Sequence, residues 1–115
     1  MNNTKQLIKK RICYSINKVK INSIADSLSA PLHMPYSFSI AKQVIDRMIN
    51  VSDKEMINSM IYAFNNLRLF LEPACVAGFA ALKNYVKKEF KGQNTLILLC
   101  GSNIDYHSWN KLIYS

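Results

Sequence analysis

Ten consecutive residues, Leu96-Ile97-Leu98-Leu99-Cys100-Gly101-Ser102-Asn103-Ile104-Asp105, constrain this chain more than any other segment. An unbroken apolar run that ends in a turn of small residues reads as a strand buried on both faces, the pattern of a parallel sheet. Ligands of open α/β sheets sit just beyond the carboxyl ends of such strands, which makes Cys100 to Asn103 the place where a ligand is met. By position alone Cys100 reads equally as a small buried hydrophobe and as a group facing that ligand.

The rest of the chain alternates strand and helix signals. Ser15 to Tyr36 holds Pro31, Pro35 and much Ser and Asn, and reads as an irregular entry. Phe38, Ala41, Ile45 and Met48 follow helical spacing, predicting a short helix around 37–46, and Met48 to Val51 has the length and branching of a strand. Ser52 and Glu55 form a capping box, since the Ser oxygen can take an amide of the first turn while Glu reaches back. The helix it opens should bury Ile57, Met60, Ile61, Phe64 and Leu67. Leu69 to Leu71 is a second strand, ended by Glu72-Pro73 because proline cannot donate to a ladder. Ala74 to Phe90 is the longest helix, with Phe79, Leu82, Val86 and Phe90 as its core stripe and Lys83, Lys87, Lys88 and Lys91 on its outer side. Those lysines read as solvated partners of the helix dipole or as a phosphate-binding patch. Gly92 closes that helix. Thr95 to Leu99 is the third strand, and Tyr106 to Ile113 a terminal helix with Trp109 and Leu112 facing inward. Strands and helices alternating in this way imply right-handed βαβ crossovers and parallel strands.

Length and charge narrow the function. With 115 residues, half of them hydrophobic, the chain suits one modest domain. Its net charge of +8 is uneven: Met1 to Lys20 hold six basic residues and no acidic one, so residues 21–115 carry only +2. The domain reading is therefore a basic N-terminal extension, 1–20, and an α/β body, 21–115. The leader's large apolar residues, Leu7, Ile8 and Ile12, are too few for a signal-peptide core, and no apolar run reaches the ~18–20 residues of a membrane span. A solvated extension, the start of a truncated reading frame and a nucleic-acid or partner-binding arm are the readings of the leader, with nucleic acid not expected. Three cysteines without paired spacing point to a reducing compartment, hence the cytoplasm. Cys13 and Cys75 read as packed or incidental. His33 and His107 lack companions at ligand spacing, so no metal site is expected.

Four segments, in order, resemble the threonine dehydratase and serine racemase family of fold-type II pyridoxal-phosphate enzymes. Ser23-Ile24-Ala25-Asp26-Ser27-Leu28 is similar to its Thr/Ser-Ile-Ala-Asp-Gly/Ser-Leu element. Val44 to Met56 is similar to its Val-Asp-x-x-x-x-Val-Ser-Asp/Glu-x-Glu-Ile/Met element, and Glu72-Pro73-Ala74-Cys75-Val76-Ala77-Gly78-Phe79-Ala80-Ala81-Leu82 to its Glu-Pro-Ser/Ala-x-Ala-x-Ala-x-Ala-Leu element. Cys100-Gly101-Ser102-Asn103-Ile104-Asp105 is similar to its Ser/Cys-Gly-Gly/Ala/Ser-Asn-Ile/Val-Asp element, with Ser102 standing where Gly or Ala is commoner.

The resemblance implies a three-layer α/β fold, a partial parallel sheet with flanking helices, as the C-terminal portion of a tryptophan synthase beta-like large domain. It implies that Cys100 gives the pyridine nitrogen of the cofactor a neutral hydrogen-bond donor, that Gly101 shapes the turn, and that Glu72 holds the loop beside the ring. A neutral partner leaves the ring a weaker electron sink and favours β-elimination. It also implies a small amino-acid substrate and, in the full-length enzyme, a homo-oligomer. The family's anchoring lysine, in a Ser-Phe-Lys context, has no match here, and Gly78, Gly92 and Gly101 do not adjoin to make its phosphate cradle. The expectation is a C-terminal fragment of a threonine/serine ammonia-lyase, inactive alone and completed by an N-terminal part. The alternatives are a fragment of a serine racemase or another hydroxy-amino-acid dehydratase, or a non-catalytic basic binding module.

Overall fold

The computed structural model describes residues 22–28, 35–86 and 88–114; the basic leader, Cys13 and His33 lie outside them. Among the described residues there are four α-helices: α1 (Pro35–Val44), α2 (Asp53–Leu67), α3 (Ala77–Ala81) and α4 (Tyr106–Tyr114). A 3-10 turn over Asp26–Leu28 precedes them, another over Ala74–Val76 leads into α3, and a π-helical turn over Leu82–Val86 continues it. The long helix expected over Ala74 to Phe90 is thus a succession of three helical forms, followed by turns to Gly92, whose φ of 82° ends it.

Helix α2 organises the core, and its start is built as the capping box requires. The Ser52 side chain accepts the Glu55 amide, while the Ser52 amide donates to Glu55 Oε2 at 2.7 Å. Tyr85 Oη donates to Glu55 Oε1 at 2.9 Å and Asn84 Nδ2 at 3.2 Å, so the same carboxylate fastens the π-helical turn to the start of α2. The backbone and side-chain bonds from Ser52, then the one from Tyr85, hold the Glu55 carboxyl below its ordinary value of 4.5. Asp53, one residue on, accepts from Ser23 Oγ at 2.7 Å and from the Ile24 amide at 3.3 Å, tying the entry segment to the same helix end.

The buried face of α2 is rotated from the expected one: Met56, Ser59, Met60 and Ala63 are buried, while Phe64 and Leu67 stand largely exposed and Ile57 and Ile61 are half-buried. Small Ser59 and Ala63 allow the close approach of the helical segment from Ala74 onward, which larger residues would hold off. At its other end α2 closes without glycine. Arg68 takes a left-handed conformation (φ 57°), donating its amide to Phe64 O at 3.2 Å, the bond of an αL closure, and the Leu69 amide reaches Ala63 O at 3.3 Å.

The core joins Ala25, Met56, Met60, Ala63, Leu71, Cys75, Val76 and Trp109. Trp109, buried as expected on α4, meets Phe70 at 4.9 Å and Phe64 at 5.2 Å between ring centroids. Leu112 packs against the same cluster.

The three expected strands carry no strand ladder among the described residues. The run from Leu96 is also not buried on both faces: Leu96 and Leu98 are 95% and 78% exposed, while Ile97 and Leu99 are half-buried. Exposure thus alternates along it with the period of a β-strand, one side packed and the other open. The packed side fits against α3, where a Cβ on Gly78 would lie 2.9 Å from Ile97 Cγ2, so the small residue at 78 is what permits the approach.

Replacing Ser52 by Ala should lower stability by about 1 kcal/mol in urea unfolding, the usual loss of an N-cap. The pH profile should change with it. Because the Glu55 carboxyl titrates below 4.5 when folded, its contribution is complete above pH 4.5 and disappears as pH falls through the folded value. In Ser52→Ala that acid limb should be shallower.

Candidate functional site

The site is the turn after the alternating segment, and it is fixed from both ends. Pro73 forces the chain out of extended geometry and into the 3-10 turn Ala74–Val76, in which the Cys75 amide donates to Glu72 O at 3.1 Å. That turn brings Glu72 and Cys75 to the same side, against Gly101. The Glu72 amide donates to Gly101 O at 3.4 Å, and the Gly101 amide donates to Cys75 Sγ at 3.3 Å. The Glu72 carboxylate lies directly over the Gly101 Cα, so any Cβ there would collide with Oε1 and Cδ. Glycine at 101 is required by this close approach.

Beyond Gly101 the chain turns through a main-chain bond, the Ile104 amide donating to Ser102 O at 2.9 Å. Asp105 then starts α4: its Oδ1 accepts the Ser108 amide at 3.0 Å and its Oδ2 the Ser108 hydroxyl at 2.6 Å. These bonds, the hydroxyl's first, hold the Asp105 carboxyl below its ordinary range. A carboxylate at a helix N-terminus also complements the helix dipole.

Of the residues singled out from sequence, the structure brings Glu72 and Gly101 into contact and places Cys100 beside them, on the exposed side of the chain with its thiol free. A hollow of about 180 Å³ opens next to Glu72, lined also by Asp26, Ser27, Pro73 and Asn103. Cys75, read from sequence as packed or incidental, is packed and also holds this turn: it is buried, and its sulfur accepts the Gly101 amide. His107 is exposed on α4, and no group of three or more His, Cys, Asp or Glu able to hold a metal ion occurs among the described residues. Nor is any described helix long and apolar enough to cross a membrane.

Against known proteins, residues 6–101 match the family described as pyridoxal-phosphate dependent enzyme, a match that begins inside the basic leader. The chain belongs to this family. It is 42% identical over 85 residues to a phenylserine dehydratase of Ralstonia pickettii, covering 74% of this chain and 26% of that protein. It is 32% identical over 89 residues to a biosynthetic L-threonine dehydratase of Haemophilus influenzae, covering 76% of this chain and 17% of that one. The chain therefore spans about a quarter or less of the length of these relatives. Among solved structures, a pyridoxal 5'-phosphate-dependent aspartate racemase superposes with a TM-score of 0.76 at 23% identity, over 91% of this chain and 34% of that one, which shows a shared fold.

The residues present suit one edge of such a cofactor. Gly101 gives a turn without a side chain, clasped by Glu72 and Cys75, and Cys100 offers a free thiol on the open side. For the aldehyde and the phosphate the sequence offers neither the anchoring lysine context nor adjoining glycines.

Gly101→Ala should push the Glu72 carboxylate aside and destabilise the chain by about 1–3 kcal/mol, the range for forcing atoms into a filled space. In Gly101→Ala/Glu72→Ala the obstacle is gone, so the double variant should lose less than the two single losses added together. Strict additivity in thermal unfolding would mean that the two residues do not press on one another.

Proposed function

We propose that this chain is the C-terminal portion of a pyridoxal-phosphate-dependent ammonia-lyase that removes water and ammonia from a β-hydroxy amino acid, leaving a 2-oxo acid. In this reading residues 21–115 contribute a partial parallel sheet with flanking helices to a larger cytoplasmic, homo-oligomeric enzyme. An N-terminal part supplies the lysine and the glycine-rich phosphate loop. The observation that carries the reading is the clasp of Glu72 and Cys75 on Gly101, which fixes the turn bearing Cys100. The dehydratase names of two relatives support the reaction class, and the 42% likeness to a phenylserine dehydratase favours a β-hydroxy substrate with a bulky β-substituent over serine. Because a serine racemase of Schizosaccharomyces pombe is also among the relatives, 30% identical over 83 residues, racemisation of a small amino acid is the second reading.

When bound, pyridoxal phosphate draws electrons from the α-carbon of an attached amino acid. In this reading the chain's own residues set the surroundings of that event. Cys100 would offer a hydrogen-bond donor toward the ring nitrogen. Glu72 keeps the Gly101 carbonyl and α-carbon from shifting, and Cys75 retains the Gly101 amide; both are positioning residues. Asp105 and Ser108, by capping α4, fix the far end of the turn.

The test has two arms. The chain by itself, mixed with pyridoxal phosphate, should give no stoichiometric borohydride-stable lysine adduct and no deamination of threonine or phenylserine; such an adduct at one lysine would overturn the claim that the anchoring part lies elsewhere. In a form extended to include the lysine and glycine loop, Cys100→Ser should slow turnover less than about tenfold, or ~1.4 kcal/mol of barrier. Cys100→Asp should slow it much further, with Cys100→Ala between them. Unchanged kinetics and cofactor affinity in all three would reduce Cys100 to a packing residue.

A further inference from the structure

A second hollow, of about 390 Å³, lies where α2, α3 and the π-helical turn meet the start of the alternating segment, bounded by Tyr62, Phe79, Leu82, Lys83, Phe90 and Thr95. Thr95 is five residues before Cys100, about 16 Å along an extended chain, so this hollow opens at the other end of that segment. Its walls are aromatic: the Tyr62 and Phe79 rings meet at 6.2 Å with a 60° tilt, and Phe90 is half-buried beside them. One cation is placed at it. Lys83 Nζ stands 5.9 Å over the Tyr62 ring, on an exposed side chain with no carboxylate partner among the described residues.

A concave, mostly apolar space with a few polar groups is the usual form of a small-molecule site, and this volume falls within the usual range. Aromatic walls select a flat apolar body. The ammonium selects the sign of its charge, repelling amines and attracting a carboxylate. The chain's net charge of +8 acts in the same direction. We infer that the hollow between Tyr62, Phe79 and Phe90 is a binding site for a small aryl-substituted carboxylate, held by its ring among the aromatic walls and by its carboxylate on Lys83. This site stands independently of the reading of Cys100 and needs no pyridoxal phosphate.

The measurement is ligand binding to the full chain, followed by calorimetry or ligand-observed NMR, with three isosteric probes: 3-phenylpropanoate, 3-phenylpropanamide and 3-phenylpropylamine. The carboxylate should bind saturably and at least about tenfold more tightly than the amide, a difference of ~1.4 kcal/mol, and the amine more weakly still. Lys83→Met should erase the preference for carboxylate over amide while leaving amide binding in place, and Lys83→Glu should reverse it toward the amine. Lys88→Met, on a lysine that does not border the hollow, should leave the preference intact. Equal binding of the three probes by the unaltered chain would overturn the site, as would absence of saturable binding of any of them. A carboxylate preference that survives Lys83→Met would place it elsewhere on this basic protein and overturn it too.

Discussion

Both hydrogen-bonding groups of one peptide residue, Gly101, are engaged by the short segment from Glu72 to Cys75. The remaining structure can be read outward from this meeting. A glycine carbonyl accepting from Glu72 and a glycine amide donating to a cysteine sulfur are individually modest bonds, on the order of 1 kcal/mol or less. Their effect is geometric. They join two stretches of chain more than twenty-five residues apart at a point where no side chain separates them, and they do so with Cys75 in the main core and Glu72 at the edge of a hollow.

That junction holds because each stretch is itself delivered by a defined turn. The left-handed Arg68 and the bond from Leu69 to Ala63 end α2 sharply, which sends Leu69 to Leu71 back along the core toward Gly101. On the other side, Asp105 and Ser108 start α4 and let Trp109 fall between Phe64 and Phe70. The aromatic trio therefore links the residues entering the junction with those leaving it. A side chain of this size contributes a few kcal/mol of burial, more than all the bonds at the turn together.

How far this was legible in the sequence differs from residue to residue. Ser52 and Glu55 announced their helix because a capping box is local, needing only side chains that reach three residues along. Glu72-Pro73 and Cys100-Gly101 were legible through their resemblance to a known family and through the behaviour of proline and glycine. The buried face of α2 was not, because hydrophobicity favoured Phe64 and Leu67, whereas the partner helix demanded small residues at Ser59 and Ala63. Arg68 carried no turn signal, since arginine at a left-handed position is held there by the bonds around it. Cys75 read as packed or incidental, and its hold on the turn was not legible because a sulfur accepting a distant amide is a tertiary event. The sheet was read from an apolar run whose residues 96 and 98 find no cover among the described residues.

The alternation from Leu96 to Gly101 couples two properties that are usually adjusted separately. Leu96, Leu98 and Cys100 share one side of the chain, so whatever layer shields those leucines from water also arrives over the thiol. Shielding and the chemistry of the thiol then share a single register. Inserting or deleting one residue between Leu98 and Cys100 would turn the sulfur inward while leaving the leucines outward, and a two-residue change there would keep the sides matched but move the thiol by roughly 7 Å along the chain. Substitutions at the outward positions keep that register where length changes do not.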